Sequence, residues 1–128
     1  MNIGFIGLGK LGLPVALAIE DKGHTVFGTD ISDRTLRNIR FKTLDYREEG
    51  AQELLNKSKI QIKPVEEIVK NSEIIFVPIQ TPHTEKYEGV TRIPEERADF
   101  DYKYLKEGIM NLSEEIEKNG EDKIVVII

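Results

Sequence analysis

The 128-residue sequence predicts an α/β fold, a doubly wound parallel sheet in strand order 3-2-1-4-5. Two observations carry that prediction. Short apolar runs alternate with stretches of helical periodicity along the chain, the pattern of a parallel sheet wrapped by helices. The first apolar run also ends directly in Gly7-Leu8-Gly9-Lys10-Leu11-Gly12, a G-x-G-x-x-G that opens a helix.

Each element follows in order. Asn2–Ile6 reads as the first strand. Leu11–Lys22 reads as a helix with Leu11, Val15, Ala18 and Ile19 on its apolar face, Pro14 near its first turn and Gly23 as its stop. His24–Thr29 is the second strand, and Ser32–Arg40 a short helix capped by Ser32 or Asp33, with Leu36 and Ile39 inward. Phe41–Gly50 has no period and reads as a loop. Ala51–Lys57 is helical, Lys59–Ile62 alternates like a brief third strand, and Pro64 opens a helix with Val65, Ile68 and Val69 inward. Glu73–Ile79 is a buried strand ended by Pro82. His83–Asp99 is a long aperiodic loop, and loops of that length are commonly functional or mobile. Asp101–Lys118 is a helix with Leu105, Ile109, Leu112 and Ile116 on one face and Gly120 beyond it, and Ile124–Ile128 is the fifth strand.

Composition removes several classes of function. With 39% hydrophobic residues the chain can bury a core, yet no apolar run reaches the roughly 18 residues that a bilayer span needs. The apolar start is broken by glycines and Lys10, which argues against a secretory signal. Zero cysteines exclude a thiol nucleophile within these residues and fit a reducing cytoplasm. A net charge of −5, with the acidic excess lying wholly beyond residue 82, argues against a nucleic-acid surface. His24 and His83 have no metal-ligand spacing around them, so no metal is expected.

The glycine motif carries the chemistry. Gly7 permits a tight turn, Gly9 lets backbone approach a pyrophosphate, and Gly12 lets helix and strand pack closely. The helix start beyond them offers free N–H groups and a positive dipole end to phosphate. Asp30, at the end of the second strand, is placed to accept hydrogen bonds from the adenosine ribose and to repel a 2′-phosphate, so NAD is favoured over NADP. Strand, glycines, helix and distal acid together describe a Rossmann-type dinucleotide site. Lys10 does not make a phosphate loop of the G-x-x-x-x-G-K kind, because the spacing is wrong. In such a fold ligands lie across the carboxyl ends of the strands at the switch point, which brings in Gln80, Thr81 and Pro82 after the fourth strand. The expected cofactor residues are therefore Gly7, Leu8, Gly9, Lys10, Leu11, Gly12, Asp30, Ile31, Gln80, Thr81 and Pro82.

These residues carry a resemblance. Asn2–Asp30, with its Gly-Leu-Pro-x-Ala run at Gly12–Ala16, and Val77–His83 are similar to the amino-terminal domain of the UDP-glucose/GDP-mannose dehydrogenase family. So is Glu48-Glu49-Gly50-Ala51-Gln52-Glu53-Leu54-Leu55, where Glu49 replaces the family's usual proline. The resemblance implies an NAD-dependent, four-electron oxidation of a nucleotide sugar's C6 alcohol to a carboxylate, and a cofactor role for a basic residue near Asp30, for which Arg34 is the nearest candidate. It also implies further domains that bring the nucleophilic cysteine and the sugar contacts. Residues 1–128 are thus expected to be an incomplete, truncated NAD(P)-binding domain, inactive alone, that meets a nucleotide sugar only with the missing domains. The loop over Thr84–Asp99 is expected to be mobile and to reach toward the substrate domain or a second subunit. The apolar strand Ile124–Ile128 is expected to self-associate or pair with a partner chain. Two other readings fit the glycine motif less well. A β-hydroxyacid dehydrogenase does not usually end its fourth strand in Thr-Pro-His, and a nucleotide-sensing regulatory module does not typically carry the Gly-Leu-Pro-x-Ala run.

Overall fold

A computed structural model describes residues 1–82, 99–119 and 121–128. It contains a five-stranded parallel sheet in the order β3-β2-β1-β4-β5, as expected. The strands are β1 (Asn2–Ile6), β2 (Thr25–Thr29), β3 (Gln61–Ile62), β4 (Ile74–Val77) and β5 (Ile124–Ile127). The helices are α1 (Gly12–Asp21), α2 (Asp33–Arg40), α3 (Ala51–Lys57), α4 (Val65–Asn71) and α5 (Lys103–Asn119). The expected loop at His83–Asp99 falls, apart from Asp99, outside the described residues, as does Gly120.

The pleat of β1 sorts the core into two layers. Ile3 and Phe5 face one side and pack with Leu13, Ala16 and Leu17 of α1, Ile39 of α2, and Ala51 and Leu55 of α3. Ile6 faces the other side, where Phe27, Ile68, Val69, Ile75, Val77 and Leu112 close over it from β2, α4, β4 and α5. Phe5 is fully buried and stacks on Phe76 of the neighbouring strand, with ring centroids 5.0 Å apart. Parallel strands covered on both faces explain the nearly continuous apolar runs of β1 and β4.

Several local expectations are corrected. The buried face of α1 is Leu13, Ala16 and Leu17, at spacings of three and four, whereas Leu11 and Ala18 are exposed. β3 is two residues rather than four, because Lys59 N donates to Glu20 Oε1 and Ile60 N to Ser58 Oγ, which removes both amides from the sheet ladder. β4 ends at Val77, since Pro78 has no N–H to donate. Pro64 is the cap of α4 rather than its first residue.

α2 is ended at both termini by recognisable chemistry. Ser32 is its N-cap and accepts from Thr35 N at 3.3 Å, while Asp33 in the first turn complements the helix dipole. Ser32→Ala should lower unfolding stability by about 1 kcal/mol in urea titration, and an unchanged midpoint would remove the capping role. At the other end Lys42 adopts φ 58°, with Lys42 N donating to Ile39 O and Thr43 N to Asn38 O. This is a Schellman closure built on lysine instead of glycine. The left-handed backbone costs roughly 1 kcal/mol for such a residue. Lys42 Nζ offsets part of it by donating to Ser58 O at 2.6 Å.

Candidate functional site

Parallel register brings the ends of three strands to one place. Ile6 of β1 pairs with Thr29 of β2, and Phe5 of β1 with Phe76 of β4, so Gly7, Asp30 and Pro78 follow side by side. The connection after β1 turns toward β2, while β4 lies on the opposite flank, and the crevice opens where they part. It is a cleft of about 930 Å³, within the usual range of roughly 300–1,000 Å³ for ligand sites.

The glycine loop forms its floor. Gly7 sits at φ +116°, a conformation that excludes ordinary side chains, and its N–H donates to Thr29 O at 2.9 Å. A Cβ on Gly12 would stand 2.8 Å from Pro78 Cγ and press on the Gly7 carbonyl, so α1 approaches the strand ends only because that atom is missing. Gly9 differs: a Cβ there would meet nothing within 4 Å. The fold does not need a glycine at that point, but the open space lies in the cleft, above the start of α1. That helix has no side-chain cap and no acid in its first turn, and although Leu13 N donates to Gly9 O at 3.0 Å, its positive dipole end is left to whatever fills the cleft.

Asp30 joins the loop to the next wall. One carboxylate oxygen accepts from Leu8 N at 2.7 Å and the other from Ser32 N at 2.8 Å. A carboxylate has about four acceptor positions, so two remain for a ligand's hydroxyls. Beyond Asp30 the wall is α2 and the segment after it, with Ser32, Thr35, Asn38, Thr43, Leu44, Asp45 and Tyr46 lining the cleft. That segment is held by Gln52 of α3, whose Nε2 donates to Lys42 O and whose Oε1 accepts from Leu44 N. Tyr46 is half-buried. Burial pushes its phenol pKa up, and Asp45 and Glu48 push the same way, so it stays neutral. Its hydroxyl has no hydrogen-bond partner among the described residues.

Of the residues expected from sequence, Gly7, Leu8, Gly9, Lys10, Leu11, Asp30, Ile31 and Gln80 line the cleft together. Gly12 lies beneath it. Thr81 and Pro82 are half-buried and stand outside the lining, and Arg34 is turned to Asp45, with Nε 2.7 Å from Oδ2. Sequence reasoning missed the Asn38–Tyr46 wall, and also Tyr104, Glu107, Gly108 and Asn111, which face the cleft from α5 at spacings of three and four. Among the described lining residues Asp30, Asp45 and Glu107 are acidic and Lys10 alone is basic. These groups fit a dinucleotide: an open backbone floor and helix start for pyrophosphate, and an oriented carboxylate for a ribose. No group of three potential metal ligands occurs among the described residues, and no described helix is long and apolar enough to cross a membrane.

Known proteins are similar to this chain in sequence and in fold. The sequence model of the UDP-glucose/GDP-mannose dehydrogenase family, NAD binding domain, matches residues 1–128. Among curated proteins, the chain is 31% identical over 81 residues to Protein CapL of Staphylococcus aureus, covering 63% of this chain and 19% of that protein. It is 29% identical over 86 residues to UDP-N-acetyl-D-mannosamine dehydrogenase of Pyrococcus horikoshii, covering 64% of this chain and 21% of that protein. Among solved structures, the GDP-mannose dehydrogenase of Pseudomonas aeruginosa superposes with a TM-score of 0.83 at 23% identity, over 99% of this chain and 28% of that one. The UDP-glucose dehydrogenase of Pyrobaculum islandicum does so with a TM-score of 0.79 at 21% identity, over 98% and 28%. The chain spans about a fifth of the length of these two curated relatives. With the fold, the cleft and a family match over every residue in agreement, the chain belongs to the UDP-glucose/GDP-mannose dehydrogenase family, and what it contains of that family is the NAD-binding domain.

Proposed function

We propose that the chain holds NAD across the cleft, with the pyrophosphate over Gly9 and the start of α1 and the adenosine ribose against Asp30. It would serve the oxidation of a nucleotide sugar's C6 alcohol to a carboxylate. The observation that carries this reading is Gly9, whose open face lies between the Gly7 turn and a carboxylate already oriented by Leu8 N and Ser32 N. NAD, when bound, supplies the hydride acceptor. The chain's own residues bind and orient it: Gly7 shapes the turn, Gly12 lets α1 approach, Asp30 takes ribose hydroxyls, and Lys10, Leu11, Ile31 and Gln80 border the cofactor. Thr81, Pro82 and Arg34 would reach it only by side-chain or loop movement.

The sequence holds no cysteine, so the thiolate that a thioester route requires must come from another polypeptide segment. We therefore read these residues as inactive alone, and as meeting the nucleotide sugar only alongside further domains. The zero cysteine count also supports a cytoplasmic setting. β5 supports association with a second copy or a partner chain, because it is an edge strand with Ile124 60% and Ile127 53% exposed. Titration calorimetry of the full chain should find NAD binding tighter than NADP, with no turnover of UDP-glucose. Equal affinity for the two coenzymes would overturn the role of Asp30, and turnover would overturn the incompleteness.

A further inference from the structure

We propose that Asp45 is a second determinant of coenzyme choice, acting by holding Arg34 out of the cleft. The inference rests on the reading of the cleft given above. Arg34 stands in the first turn of α2, four residues beyond Asp30, and so is the cation that a ribose 2′-phosphate at Asp30 would meet. Its Nε lies instead 2.7 Å from Asp45 Oδ2, and it is Asp45, not Arg34, that lines the cleft. Asp45 is delivered there by the Lys42 reversal and by Gln52 pinning the segment on both sides of Thr43. Lys42 is committed to Ser58 O. That side of the cleft thus presents two carboxylates, Asp30 and Asp45, while the guanidinium of Arg34 is already paired.

The ion pair is exposed on the Arg34 side, at 76%, and such pairs are individually weak. Asp45 therefore works as a competitor and not as a lock. A 2′-phosphate must displace a carboxylate from the guanidinium and then sit beside two negative charges, whereas a bare ribose hydroxyl meets neither obstacle. Neutralising Asp45 removes the competitor and one of the charges together, and leaves Arg34 free to form a charge-assisted hydrogen bond with phosphate.

The test is calorimetric titration of NAD, NADP and 2′,5′-ADP into the wild-type chain, Asp45→Asn, and the double variant Asp45→Asn/Arg34→Met. The NADP-to-NAD ratio of dissociation constants should narrow by about three- to tenfold in Asp45→Asn, the size expected for an exposed charge pair and its electrostatic neighbour. 2′,5′-ADP should gain affinity in parallel, and most of both gains should disappear in the double variant, which keeps only the part due to the lost Asp45 charge. A ratio left unchanged by Asp45→Asn overturns the inference and leaves the reading of the cleft standing. A gain that survives undiminished in the double variant also overturns it, because the whole effect would then be lost repulsion without Arg34. A wild-type chain that binds no coenzyme overturns the reading of the cleft and the inference with it.

Discussion

Replacing Asp30 by alanine should weaken NAD binding by about ten- to a hundredfold, the cost of losing hydrogen bonds to a charged acceptor. Its advantage over NADP should shrink at the same time. Two effects combine. The ribose loses its acceptors, and the loop loses the anchor that takes Leu8 N and Ser32 N. The second effect also appears without ligand: two backbone donors near the buried Leu8 side chain go unsatisfied, for a loss of about 1–3 kcal/mol in unfolding stability. Asp30→Asn separates the contributions, since an amide oxygen keeps one acceptor while the charge disappears. It should recover at most about half of the stability, because its NH2 group faces the other backbone N–H, and little of the NAD preference. Calorimetry and urea titration on the same preparations decide the matter, and an Asp30→Ala chain that still prefers NAD by the wild-type margin would remove Asp30 from the site.

The glycine loop offers a contrast in which stability and binding move oppositely. At Gly12 an added methyl group meets Pro78 and the Gly7 carbonyl, both fixed by the sheet ends, and neither can retreat. Gly12→Ala should cost about 3 kcal/mol of stability, as overpacking against backbone does. At Gly9 the same methyl enters open space, so Gly9→Ala should change stability by less than about 0.5 kcal/mol. It should nevertheless abolish most NAD affinity, because the methyl occupies the approach proposed for the pyrophosphate. Urea midpoints and titration of NAD check both arms. A stable Gly12→Ala chain would contradict the close packing, and a Gly9→Ala chain with wild-type affinity would move the pyrophosphate off the loop.

The contrast also shows which parts of the molecule were legible in the sequence. Strand order, the β1–glycine–α1 unit and the position of Asp30 follow from spacing along a short stretch, where geometry is local. The face of α1 did not follow, because Leu11 is apolar yet lines the cleft, and Leu13 takes the buried position beside Ala16 and Leu17. Composition cannot tell a residue that faces a cleft from one that faces a core. The Asp45–Tyr46 wall was hidden for a different reason. Its placement depends on a chain reversal at Lys42, where a glycine would have signalled the turn, and on a side chain from α3 that returns to hold it. The polar stripe Tyr104, Glu107 and Asn111 was visible as a helical spacing, but nothing in the spacing says which way it faces.

The pairing of β1 with β4 has a kinetic consequence. Asn2 N donates to Glu73 Oε2 and Glu73 N donates to Asn2 O, across 71 residues of chain. The glycine turn can form early from neighbouring β1, α1 and β2, whereas the opposite wall with Pro78 exists only after that long loop closes. Long-range parallel closure is slow and carries a large entropic cost before any contact rewards it. The cleft is therefore expected to be among the last features to assemble, and a ligand that needs both walls would recognise only the finished fold. Coenzyme then shifts the folding equilibrium by mass action, by about 2.7 kcal/mol at a hundred times its dissociation constant.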